Sequence, residues 1–78
     1  MKVLAEYRIQ YELGTCIVSS YVAEQDIPKH NAVIEFPIEG ALRRIVITAV
    51  WPAKAATDWA GNDCLDIRID GRVAQAQA

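Results

Sequence analysis

The N-terminal part of the chain alternates with a period of two. Tyr7, Ile9, Tyr11 and Leu13 interleave with Glu6, Arg8, Gln10 and Glu12; beyond Gly14-Thr15, Cys16, Val18, Ser20 and Val22 interleave with Ile17, Ser19, Tyr21 and Ala23. That period sends successive side chains to opposite faces of a strand. Gly14 at the first central position of a two-residue turn predicts a type II′ hairpin, because glycine takes positive φ there at no steric cost. Folding about Gly14-Thr15 sets Leu13 against Cys16, Tyr11 against Val18, Ile9 against Ser20 and Tyr7 against Val22. Nearly every apolar residue of the first strand then meets an apolar partner on one face.

Glu39-Gly40 predicts a second hairpin with a I′ turn. Its register pairs Ile38 with Ala41, Phe36 with Arg43, Ile34 with Ile45 and Ala32 with Ile47. On the other face Glu35 meets Arg44 and Val33 meets Val46, so charges and apolar groups both find matching partners. Pro37 cannot donate to a ladder, which predicts an edge or a bulge in this third strand. The fourth strand, 42–51, carries Ile45, Ile47, Ala49 and Trp51 on one face and Leu42, Val46 and Val50 on the other. A strand apolar on both faces is covered on both, so a central place or an interface is expected.

After Trp51-Pro52, residues 53–60 predict a short helix: Pro52 precedes the first turn, alanines follow, and Gly61 supplies the C-terminal cap. About two turns do not stand alone, so Trp59 is expected to dock on the sheet. Leu65, Ile67 and Ile69 alternate with Asp66, Arg68 and Asp70 as a fifth strand, and Asp70-Gly71 reads as a turn. The chain 72–78 is expected to add a weak strand or a frayed end.

These elements predict one small all-β domain over residues 1–78: a five-stranded antiparallel meander or barrel, SH3-like or OB-like, with one short helix. The alternative makes 15–25 a helix and gives an α+β, ferredoxin-like βαββαβ order. It conflicts with the β-branched content of that segment and with the hairpin register.

Composition changes the picture in one respect. Of the 78 residues 53% are hydrophobic, yet a chain this short buries only about 60–65% of its unfolded surface. The apolar surplus predicts a homodimer or a protein partner, with Leu42, Val46, Val50 and the edge at Pro37 as its interface. A net charge of −2 and a pI near 5.2 argue against nucleic acid and anionic membrane as partners. No targeting run or membrane-length apolar segment is evident, so a cytoplasmic address is expected and the two cysteines are expected as thiols.

Candidate chemistry is sparse. Cys16, Cys64 and His30 lack the close spacing of a metal site, so no metal or cofactor is expected; Cys16 reads as a buried apolar thiol and Cys64 as partly exposed. His30 with Asp26 sits in a polar loop without a nucleophile placed by motif. Asp58, Trp59, Asn62 and Asp63 form the densest polar group around an aromatic, the pattern of a carbohydrate-like or cation ligand site, although the spacing is not that of a calcium loop. Turn chemistry explains the same residues: Gly61 as cap, Asn62-Asp63 bonding their own backbone. The sequence therefore predicts a non-enzymatic interaction or structural module. Ligand binding at 58–63 is the alternative, and base stacking on an OB-like sheet is a third reading that lacks a basic groove.

Overall fold

A computed structural model of the chain describes residues 2–74. It contains six strands: β1 (Lys2–Tyr11), β2 (Gly14–Val22), β3 (Val33–Ile38), β4 (Ala41–Val50), β5 (Lys54–Thr57) and β6 (Asp63–Val73), with one 3-10 turn at Glu24–Asp26. All belong to a single sheet of order β2-β1-β6-β4-β3, with β5 also on β6, curled into a half-barrel. The fold is all-β. Residues 15–22 lie in a strand and no α-helix occurs among the described residues, which removes the ferredoxin-like alternative.

The inner face carries the core. Val3, Ala5, Tyr7 and Ile9 from β1, Phe36 and Ile38 from β3, Ile45 and Ile47 from β4, and Ile67 and Ile69 from β6 are all buried. Tyr7 and Phe36 pack as tilted rings 5.1 Å apart. Burial, with the Asp26 carboxylate second, pushes the Tyr7 hydroxyl above its ordinary value. The strands that end this order, β2 and β3, are consecutive in the chain. Their connection therefore crosses the open side, where Ile27 and Ala32 pack against the core.

The 38–41 hairpin forms in the expected register, from Ile38↔Ala41 to Val33↔Val46 with Glu35 opposite Arg44. Glu39 (φ 50°) and Gly40 (φ 81°) both take the positive φ that a I′ turn demands. β3 is a sheet edge, as Pro37 requires, and β4 is central.

The first hairpin differs. Its turn is Glu12-Leu13, and the register runs from Tyr11↔Gly14 through Ile9↔Cys16 and Tyr7↔Val18 to Val3↔Val22. Each residue keeps the expected face but slides four positions along its partner. A turn at Gly14-Thr15 would leave Lys2 to Glu6 opposite 23–27, a poor strand that carries Glu24 and Asp26 and runs into Pro28. The observed turn gives all of β1 below Tyr11 a partner except Lys2, and Gly14, at φ 133°, absorbs the strained backbone just after it.

Nor is the sheet a meander of five antiparallel strands. β1 pairs in parallel with β6, with Val3↔Leu65, Ala5↔Ile67, Tyr7↔Ile69 and Ile9↔Gly71 in line. This places β1 and β6 side by side in the interior of the sheet and aligns their apolar positions on the inner face. Asp70-Gly71 is consequently not a turn but the interior of β6. A Cβ on Gly71 would stand 2.8 Å from Ile45 Cγ2, 3.0 Å from the Val46 carbonyl oxygen and 3.1 Å from Ile9 Cδ1. Glycine is there to let three strands approach, not to reverse the chain. Arg72 and Val73 complete β6 and the Ala74 amide donates to the Arg44 carbonyl; the expected end from 75 onward lies outside the described residues.

The expected helix over 53–60 is also a strand. β5 pairs with the first part of β6, Lys54↔Asp66 to Thr57↔Asp63, on the side that β4 leaves after Val50. Two turns of helix would stand in water with little to bury, whereas four extended residues satisfy an otherwise bare stretch of β6. Propensity yields to the ladder. A bulge at Thr48 separates Ile47↔Gly71 from Ala49↔Asp70. Beyond it the faces exchange: Val50 packs on the core, and Trp51 turns outward.

Candidate functional site

The expected interface residues divide between surfaces. Leu42, 69% exposed, stands opposite Pro37 on the outer face near the β3 edge. Val46 pairs with exposed Val33 on the same face, but the Glu35–Arg44 pair separates the two apolar couples. Val50 lies on the other side of the sheet for the reason just given. Pro37, Leu42 and Val46 thus share a face that is interrupted by charge, and Val50 is not part of it.

Asp58, Trp59, Asn62 and Asp63 are brought together in the β5–β6 loop. Asp58 organises it: its Oδ1 accepts from the Ala60 amide (3.0 Å) and the Asn62 amide (2.9 Å), while its backbone bonds Asn62 and Gly61. One of its two carboxylate oxygens is spent on the turn. Trp59, expected as a docking anchor, is 96% exposed because the helix that would have aimed it inward does not form.

The cysteines and His30 sit apart. Cys16 packs against the core but is half-buried rather than buried, whereas Cys64 is buried rather than partly exposed; both are free thiols. Burial first, then the nearby Asp66 and Asp58 carboxylates, raises the Cys64 thiol above its ordinary value, which makes it a poor nucleophile. His30 is exposed. Among the described residues, no group of three His, Cys, Asp or Glu is placed to hold a metal ion.

Two features escape the sequence reading. The first is a trench on the outer face over β1 and β6, with depressions of about 450 and 390 Å³ that share Arg68. Its charges neutralise one another: Arg8 Nε bonds Glu6 Oε2 at 2.9 Å, and Arg68 Nε bonds Asp70 Oδ1 at 2.9 Å. The Trp51 indole donates to Asp70 Oδ2 (3.0 Å), and its ring lies under the Arg68 guanidinium at 5.1 Å. Burial alone would raise the Asp70 carboxyl, but the hydrogen bonds from Arg68 and Trp51 hold it below its ordinary value. Lys54 and Asp66 also line the trench.

The second is the β2 edge. Ile17 (55% exposed) and Tyr21 (47%) stand on its outer face, and Val18 is exposed on its inner face. No charged residue occurs from Leu13 to Ala23, the longest uncharged run in the chain. That run was the available signal, but it marks an edge only once the sheet order is known. Elsewhere Arg43 grips Glu12 with two bonds of 2.7 and 2.6 Å, tying the β3–β4 hairpin to the β1–β2 turn, and Tyr11 donates to Glu39.

No protein-family model matches the chain, and comparison with curated proteins and with solved structures finds no match. No helix among the described residues is long and apolar enough to cross a membrane.

Proposed function

We propose that this chain is a non-enzymatic interaction module that acts by binding and works as a homo-oligomer, most simply a dimer. The supporting observation is the apolar surface left uncovered by a one-layer fold. Large side chains at Leu13, Ile17, Tyr21, Val33 and Leu42 stand in solvent around a sheet with free edges at β2, β3 and β5. Surfaces of this kind are what a protein partner covers. A cytoplasmic setting, in which Cys16 and Cys64 stay reduced, and an affinity with small open barrels of the SH3-like or OB-like kind belong to the same proposal. Light scattering from about 10 μM to 1 mM, a window matched to weak specific pairs, tests it. A mass that rises toward twice 8.6 kDa is expected; a constant single-chain mass across the range refutes it.

The exposure of Trp59 favours a second reading, in which its ring stacks on a sugar while Asn62 and Asp63 supply hydrogen bonds. Titration with a glucose hexamer is the check. A blue shift of Trp59 emission is expected under this reading, and its absence at millimolar sugar ends it.

A further inference from the structure

We infer that the self-interface is the β2 edge: two copies pair β2 with β2, antiparallel about a two-fold axis, and extend one sheet through both. This rests on the self-association reading and names its surface.

The sheet's free edges are treated differently; β5, with β6 as its only partner, is four residues long and carries Lys54, which leaves β2 and β3 as the long ones. β3 carries Pro37, which removes a donor, and Glu35, which places a charge on the edge; both are devices that keep edges from pairing. β2 is half as long again, GTCIVSSYV, with neither proline nor charge. In an antiparallel ladder alternate residues turn both backbone groups toward one neighbour. With β1 on one side only, every second residue of β2 therefore offers an unmet N–H and C=O to solvent.

The occupant follows from the strand's own chemistry. Antiparallel self-pairing with full overlap sets Val18 on the axis, Ile17 against the second copy's Ser19, Cys16 against its Ser20 and Thr15 against its Tyr21. No like charges meet in this register. The same operation on β3 brings Glu35 against its own copy or against Pro37. Self-pairing at β2 also continues the inner apolar layer across the axis. Tyr7 already faces Val18, which is 38% exposed, and the second Val18 covers it. On the outer face Ile17 gains a neighbour, and Tyr21, whose ring already lies under the Lys2 ammonium at 5.3 Å, gains the second Thr15. A nine-residue strand pair is small for a specific interface, so a dissociation constant on the order of micromolar is expected.

Three variants test this in the full chain. Ile17→Lys adds a charge at an exposed position, so the fold survives, as circular dichroism will show; it should weaken the dimer about tenfold or more. Leu42→Lys, the control on the other apolar surface, should leave it unchanged. Ser20→Cys places a thiol beside the second copy's Cys16, and oxidised glutathione should convert it to a covalent dimer. Within one chain positions 16 and 20 lie about 13 Å apart along the strand, too far for a bond. If Leu42→Lys dissociates the dimer and Ile17→Lys does not, or if a dimer in solution fails to cross-link through Ser20→Cys, this inference is overturned while self-association stands. A wild-type chain that stays monomeric at 1 mM overturns both.

Discussion

Gly71→Ala is the sharpest probe of how the sheet is assembled. The backbone there is extended, not left-handed, so alanine is conformationally allowed and should stabilise by about 0.4–1 kcal/mol through the unfolded chain. The folded state opposes this. The new methyl would stand 2.8 Å from Ile45 Cγ2 and 3.0 Å from the Val46 carbonyl. Neither gives way easily, since Ile45 is fully buried with a stiff χ1 and the Val46 carbonyl belongs to the β4 backbone. Only Ile9 Cδ1, at 3.1 Å, is the free end of a side chain. Overpacking of this kind costs about 1–3 kcal/mol, leaving a net loss of about 1–2 kcal/mol. For a domain of this size that lowers Tm by about 5–15 °C by differential scanning calorimetry. The loss should shrink when Ile45→Ala removes the clashing methyl, so that the double variant is less destabilised than the sum of the two. An unchanged or raised Tm, or strict additivity, would show that Gly71 is not wedged between strands.

Other substitutions address other parts of the account. Removal of the Asp58 carboxylate in Asp58→Ala leaves two loop amides unpaired and should cost about 1 kcal/mol in urea unfolding; no change would mean that the loop is held by its backbone alone. Trp59→Ala should alter stability by less than about 0.5 kcal/mol, and in Trp51→Phe the remaining Trp59 emission should be water-like and freely quenched by acrylamide. A buried, protected Trp59 would contradict its position here. The Arg43 hydrogen bonds, then the Glu12 backbone amide, hold the Glu12 carboxyl down at about 2 against an ordinary 4.5. A depressed folded-state value stabilises above the unfolded value, so this contribution is present above about pH 4.5 and disappears as pH falls toward about 2. Glu12→Gln should flatten that part of the acid limb in pH-dependent thermal melts; an acid limb identical to wild type would mean that the pair contributes nothing.

What was legible in the chain was local. Glu39-Gly40, with Glu35 across from Arg44, specifies a hairpin to the residue because turn chemistry and cross-strand pairing agree. The alternation in β1 and β2 names the face of each residue but not its partner. A slide of four positions preserves every face, and what decides the register is whether Val3 to Glu6 find a strand opposite. The parallel β1–β6 pairing joins the two ends of the chain and leaves no local signature, so Gly71 looked like a turn residue and 53–60 like a helix. The candidate site fared similarly. Asp58, Trp59, Asn62 and Asp63 do share a loop, and Pro37 and Leu42 do stand opposite each other on one face. The Thr48 bulge that moves Val50 inward, and the sheet order that makes β2 an edge, are properties of the assembled sheet.

Completion of this one-layer sheet by a second copy along β2 can be seen contact by contact in solution. An isotope-filtered NMR experiment on an equimolar mixture of ¹³C,¹⁵N-labelled and unlabelled chains tests it most directly. Pairing along β2 gives intermolecular NOEs between Ile17 and Ser19 and between Cys16 and Ser20. Their absence in a sample shown to be dimeric, or their appearance at Leu42 and Val33 instead, would contradict it.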